Sequence, residues 1–318
     1  MKKLSHLLLL SALLLGTLFA PAPCHGEVFT LAVVPDTQQD VTGNPAHFND
    51  RLQWLADHKD ALNLKVVLHV GDLTNWDTPD HGHFVRASAG LEILDKAAIS
   101  YAIAVGNHDT AAVKEGGSAA PGNVNANLRI TATYNRYFPA ERFLNLKGVF
   151  EPGKMDNAYH EFSAGGLNWL VINLELWPRT SVVDWAKTVV QNHPHHNVIL
   201  LTHSHLTDRS TIEPTKGGYG DNSPQYVFDQ LLKPYSNIRL VFCGHTGNHG
   251  YRTDPGANGN TIYQFLQCFH DRATNPTRLL EIDTVKGTLK SQVYCPATDQ
   301  HKDDASFTVA DIQWVPAK

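Results

Sequence analysis

Beyond its first 26 residues the sequence contains no apolar run near the roughly 20 residues that a membrane span requires. It has no basic block that would track a phosphate backbone, and its formal charge is −5, from 26 Lys and Arg against 31 Asp and Glu. A dedicated nucleic-acid binder is therefore not expected. Cysteine is scarce, with four in 318 residues. That is too few for a disulfide scaffold, and no two cysteines stand at a metal-binding spacing. These absences leave a chain that must fold by burying apolar surface. At 42% hydrophobic it can build one large core, and a single domain is expected over residues 27–318.

Residues 1–26 read as a secretory signal peptide. Lys2 and Lys3 form its basic start, and 7–19 form an apolar centre too short to span a bilayer. Cleavage after Gly26 would open the mature chain at Glu27, so a secreted or periplasmic protein is expected. Pro23 directly before Cys24 speaks against lipid anchoring. Loss of Lys2 and Lys3 takes the charge to about −7. Cys243, Cys268 and Cys295 then remain, an odd number, and the strand-like settings of the first two suggest buried free thiols.

From Glu27 onward, near-continuous apolar runs alternate with amphipathic stretches, the pattern of strands buried on both faces and joined by helices. Strands are expected at 28–35, 65–70 and 101–105, with helices at 49–62 and 84–98. Regular pattern stops over 110–157, although the aromatics at 134–138 suggest that this stretch folds back onto the body. A hairpin follows at 159–162 and 169–174, split by Gly165 and Gly166. Next come a helix at 182–191, a core strand at 198–202, a polar loop at 204–220, a short helix at 226–232 and a strand at 238–242. Antiparallel strands at 261–267, 278–282 and 288–293 complete the chain.

Five of the apolar runs end abruptly in residues that ligate metals. They lead to Asp36-Thr37-Gln38, Gly71-Asp72, Gly106-Asn107-His108-Asp109, His203 and Gly244-His245. The carboxyl edge of an open α/β sheet is where ligands bind. Two carboxylates about 4 Å apart repel by about 4 kcal/mol at an effective dielectric near 20, and a divalent cation between them reverses that cost. Carboxylates, an amide oxygen and imidazoles suit a two-metal centre.

In this order the blocks resemble the calcineurin-like metallophosphoesterases, and the Pro35-Asp36-Thr37-Gln38 form is closest to their exported members. The resemblance covers nearly the whole mature chain. It implies an α/β fold, a two-sheet β-sandwich flanked by helices in four α/β/β/α layers, and an enzyme that hydrolyses a phosphomonoester or phosphodiester with a hydroxide on the metals. The implied cofactors are two divalent ions from among Mn, Fe, Mg, Ca and Zn, and the implied partner is a small phosphorylated substrate.

Asp72 would bridge the ions. Asn107, His203 and His245 would complete the second site, and Asp36 and Gln38 would serve the first. His108 would protonate the leaving oxygen or stabilise the phosphoryl charge, with Asp109 beside it in the catalytic block as an orienting group. The chain departs from the family pattern at Gly247, where a further His is usual. The first site is then oxygen-rich, which favours Mn, Mg or Ca over Zn. His249 is taken as the replacement nitrogen, with His270 as the alternative.

Substrate contacts are assigned to His205 and Arg272, with Tyr134, Arg136 and Arg209 as further candidates. His69 reads as a satisfied core residue. His81 and His83 read as loop positions, and His193, His195 and His196 as a solvated turn. Two rival readings remain. One is a one-metal, non-catalytic binder of phosphorylated ligands, which Gly247 motivates. The other is a zinc amidase or lactamase, against which the Asn107 position speaks.

Overall fold

The computed structural model describes residues 27–318 apart from Arg272, so the expected leader at 1–26 and the Arg272 assignment lie outside the described residues. The strands are β1 (Phe29–Val34), β2 (Leu64–His69), β3 (Tyr101–Ile103), β4 (Leu146–Val149), β5 (Ala158–Ala164), β6 (Leu167–Leu174) and β7 (His196–Thr202). They continue with β8 (Ile238–Cys243), β9 (His249–Pro255), β10 (Thr261–Gln267), β11 (Thr277–Asp283), β12 (Thr288–Cys295), β13 (Gln300–His301) and β14 (Phe307–Val309). The helices are α1 (Gln38–Gly43), α2 (Pro45–Asp57), α3 (Gly82–Lys96), α4 (Val124–Asn127), α5 (Ala132–Tyr137), α6 (Thr180–Asn192) and α7 (Pro224–Val227).

These strands form two seven-stranded mixed sheets. One runs β13-β12-β11-β1-β2-β3 with β14 on β12, and the other runs β4-β5-β6-β7-β8-β10-β9. The continuous apolar runs are explained by burial on both faces. In β1, Leu31 and Val33 enter the core between the sheets, while Ala32 and Val34 face α2 and α3 on the outside. In β6, Trp169 and Val171 face inward and Leu170 and Ile172 pack under α6. The four layers expected from the sequence are therefore present.

The parallel pairings position the site. β1, β2 and β3 run parallel to one another, as do β6, β7, β8 and β10. Their carboxyl ends open along one edge, where the ligand-type residues meet. The β5–β6 hairpin turns at Gly165 and Gly166, with φ of +59° and +73°. No helix among the described residues is long and apolar enough to cross a membrane.

The aperiodic region 110–157 contains α4, α5, a short 3-10 turn and β4. Tyr134 is wholly buried in the outer core beside Phe138, with ring centroids 5.1 Å apart, so it is a packing residue and not a substrate contact. The expectation of an all-antiparallel end is corrected at β10, which pairs parallel to β8 and antiparallel to the unforeseen β9.

His160 on β5 is wholly buried next to Phe143. Burial pulls its pKa from 6.5 down to about 4. Between those values the unfolded chain takes up a proton that the folded chain refuses, so stability falls as pH falls, by at most about 3 kcal/mol. Urea unfolding from pH 7 to pH 4.5 should show this loss, and His160→Gln should flatten it. An unchanged slope in that variant would assign the acid sensitivity elsewhere.

Candidate metal centre

The Asp36-Thr37-Gln38 stretch is tied to the loop after β2 before any ligand is considered. The Thr37 amide donates to the Asp72 carbonyl at 3.0 Å, and its hydroxyl contacts His69 Nε2 at 2.9 Å and the Leu73 carbonyl at 3.2 Å. His69 is thus the satisfied core residue the sequence suggested. Gln38 opens α1, whose Asp40 forms a buried ion pair with Arg51 at 3.0 Å.

Asp36 Oδ2 accepts the His245 backbone N–H at 3.0 Å and the Cys268 thiol at 3.3 Å, and lies 3.4 Å from His270 Nε2. Asp72 Oδ1 accepts the His108 backbone N–H at 3.0 Å. Its Oδ2 accepts the Gln38 amide at 3.3 Å and lies 3.2 Å from His203 Nε2. His203 Nδ1 donates to the Val70 carbonyl at 2.9 Å, which turns Nε2 inward. His245 Nδ1 lies 3.1 Å from that Nε2.

Glycine precedes these groups for steric reasons. A Cβ at Gly106 would run into the Asp72 carboxylate, and one at Gly244 into Asp36. Asp72 and His245 themselves adopt positive φ, 49° and 76°, a local strain of the kind that collects at functional sites.

The cluster is electrostatically frustrated. Burial raises the Asp36 carboxyl above its ordinary range despite His203. Burial also acts to raise Asp72, but His203 and His108 hold it well below the ordinary value. For His203, burial opposes the charge, yet Asp72 and Asp36 keep its pKa up at about 9. Burial and the neighbouring His203 push His245 down to about 3. Burial and Asp36 push the Cys268 thiol far up.

Three buried oxygens here, Asp36 Oδ1, Gln38 Oε1 and Asn107 Oδ1, have no hydrogen-bond partner among the described residues. Unpaired buried acceptors are costly, and cations would satisfy all three. The donor set fits two ions. Asp72, His203 and His245 form one group, and Asp36, Cys268 and His270 form another, with the donor atoms of each group within 4.8 Å of one another.

The structure places two of the residues singled out in the sequence elsewhere. His249 opens β9, and its ring contacts Asp304 at 3.3 Å on the outer surface. It is not in either donor group, because the strand pairing that β9 makes with β10 carries it away from the centre. His205 is wholly buried, with Nε2 on Gln264 at 2.6 Å, so it braces β10 and does not reach substrate. Asp109 is buried, and its carboxylate accepts the backbone N–H groups of Leu73, Thr74 and Gly106 at 3.2, 2.9 and 3.0 Å. It positions the loops that carry Asp72 and His108, the orienting role expected for it. Cys268 reads in the sequence as an inert thiol because it has no partner cysteine at a metal-binding spacing. Its usable sequence signal is the Cys268-Phe269-His270 triplet at the end of a strand.

His108 Nδ1 donates to the Asn75 carbonyl at 2.6 Å, leaving Nε2 at 4.0 Å from Asp72 Oδ2. The ring lines a cavity of about 590 Å³ with Gln39, Asn44, Asn75 and Trp76. A second cavity of about 230 Å³ reaches His245 past Trp177, Glu213 and Tyr219. No lysine or arginine among the described residues lines either one.

Two sheets whose parallel strand ends gather carboxylates, amides and imidazoles define an α/β fold with a candidate two-metal centre at one edge. The model of the calcineurin-like phosphoesterases matches residues 29–249, and the chain belongs to that family, which is dimetal-binding.

YvnB of Bacillus subtilis (strain 168) is 24% identical over 284 residues, which is 85% of this chain and 20% of YvnB; the chain thus spans about a fifth of that relative's length. Among solved structures, a purple acid phosphatase from yellow lupin (Lupinus luteus) seeds aligns with a TM-score of 0.59 at 13% identity, over 91% of this chain and 55% of its own. A dimetal phosphatase from Danio rerio aligns at 0.54 and 12% identity, over 89% of this chain and 98% of its own. These two likenesses show the fold.

Proposed function

We propose that this chain is an exported, metal-dependent phosphoesterase that cleaves a phosphomonoester or phosphodiester. The observation that carries this reading is the set of three orphaned acceptor oxygens on Asp36, Gln38 and Asn107, with the His108 ring lining the adjoining cavity. When bound, the metals supply a nucleophile from water and neutralise charge on the phosphoryl oxygens.

The protein supplies the rest. Asp36, Gln38, Asp72, Asn107, His203 and His245 would hold the ions, and the Gln38 amide N–H also braces Asp72. His108 delivers a proton from Nε2 to the departing oxygen. Among the described residues, neither cavity is lined by a lysine or arginine. The amides beside Trp76 suit a polar, neutral group such as a sugar or nucleoside.

The rival one-metal binder rests on Gly247. The second donor group around Asp36 weakens that rival, because it supplies a sulfur and a nitrogen from elsewhere. Purified protein loaded in turn with Mn, Mg, Zn and Ca, and assayed on an aryl phosphate and an aryl phosphodiester, tests the proposal. Turnover with about two bound ions supports it and identifies the ester class. Two bound ions and no turnover on either substrate with any metal overturns it.

A further inference from the structure

Position 247 cannot carry the usual histidine in this chain. Gly247 has φ +70°, and a Cβ there would lie 2.8 Å from the Asp208 Cβ and 3.0 Å from its Cα. The turn after β8 therefore bends against the 208 loop. The same turn is stitched instead to the end of β10, where the Cys268 and Phe269 amides donate to the Asn248 carbonyl at 2.9 and 3.0 Å. Gln267, directly before Cys268, is clamped by the wholly buried Arg278, whose Nε donates to its Oε1 at 2.8 Å. Phe269 and His270 then take positive φ, 59° and 41°, and the His270 amide turns back onto the Cys268 carbonyl at 2.7 Å. This reversal brings the His270 ring to the same carboxylate that the thiol touches.

We infer that Cys268 and His270 replace the imidazole lost at Gly247, so that the first metal sits among Asp36, Asp72, Cys268 and His270. The spacing fits a single ion. Donors at about 2.0–2.3 Å on a tetrahedron stand roughly 3.3–3.8 Å apart. Here Asp36 Oδ2 lies 3.3 Å from Cys268 Sγ and 3.4 Å from His270 Nε2, and the thiol is 3.4 Å from the ring nitrogen. The other oxygen of the same carboxylate, Asp36 Oδ1, is buried and has no hydrogen-bond partner among the described residues.

Binding replaces the thiol proton, which leaves to solvent, by a sulfur–metal bond; no oxidant is involved. A sulfur donor also reverses the preference expected from an oxygen-rich site, favouring zinc, cobalt or ferrous iron over magnesium and calcium. The inference rests on the two-metal reading above, although its test does not need turnover.

The test is cobalt loading of the metal-free full chain. Two equivalents should bind and give a thiolate-to-cobalt charge-transfer absorption in the near ultraviolet. Cys268→Ser should abolish that band, while Cys243→Ser should keep it, because the Cys243 thiol is engaged with backbone groups of Leu206 and Phe265. His270→Ala removes a ring whose side chain is 38% exposed, so folding is not at stake. It should weaken zinc at one of the two sites by at least about tenfold.

Two bound cobalt ions without the band, or a band that survives Cys268→Ser, overturns the inference. So does unchanged zinc affinity in His270→Ala. Hydrolysis on the same samples separates the two proposals. The band without turnover on any ester sinks the phosphoesterase reading and leaves this site standing, whereas turnover without the band sinks this site alone.

Discussion

Asp72→Asn should cut hydrolysis by about a thousandfold or more while leaving the protein folded. The carboxylate is the meeting point of both halves of the site. Its Oδ1 receives the His108 amide and its Oδ2 receives Gln38 and faces His203. Asparagine keeps the shape and one acceptor, so the loop after β2 survives, held also by the Thr37 amide on the Asp72 carbonyl. What disappears is the negative charge that would hold two like-charged ions close together. Charges about 4 Å apart interact by about 4 kcal/mol at an effective dielectric near 20, which equals a thousandfold in rate. Metal content should fall from about two equivalents toward one alongside kcat. A variant that keeps two ions and a rate within tenfold would remove Asp72 from the bridging role.

The blocks around Asp72 are legible because strand ends and ligand chemistry coincide there. An apolar run terminated by Asp, Asn or His announces both the strand and what lies at its carboxyl edge. Asp36, Asp72, His203 and His245 are brought together as the sequence pattern implies. The features hidden in the sequence share a different origin. β9 reads His-Gly-Tyr-Arg-Thr-Asp-Pro, with few apolar positions, because it is an edge strand held by pairing to β10 rather than by burial. Without β9, His249 looks free to reach the centre. α1 and α5 are each a turn or two long, below the length at which helical period can be counted. His205 resembles a pocket residue because sequence cannot tell a ring bonded to Gln264 inside the core from one facing substrate. Cys268 stays hidden because its carboxylate partner, Asp36, is remote in the chain. Asp36 is brought to it only by the stacking of two sheets, and the backbone reversal at Phe269 and His270 has no glycine to signal it.

The other large effect should depend on the leaving group. His108→Ala should slow hydrolysis of an alkyl phosphate ester by about 10²–10⁴-fold, the range for losing a positioned acid. The same change should cost far less on a nitrophenyl ester, whose phenolate departs without a proton. The geometry sets up this contrast. Nδ1–H is committed to the Asn75 carbonyl at 2.6 Å, so any proton delivered to substrate must come from Nε2. The ring lines the cavity and is only 17% exposed, so bulk water is a poor substitute donor. Because His108 belongs to neither donor group, the variant should retain its metals. That separates its loss from the loss expected for Asp72→Asn, in which rate and metal content fall together. His108→Gln, which restores a hydrogen-bond donor but no acid, should recover the nitrophenyl rate and not the alkyl rate. Equal losses on both esters, with metals intact, would show that the ring stabilises charge on the phosphoryl oxygens and that the leaving group takes its proton from water.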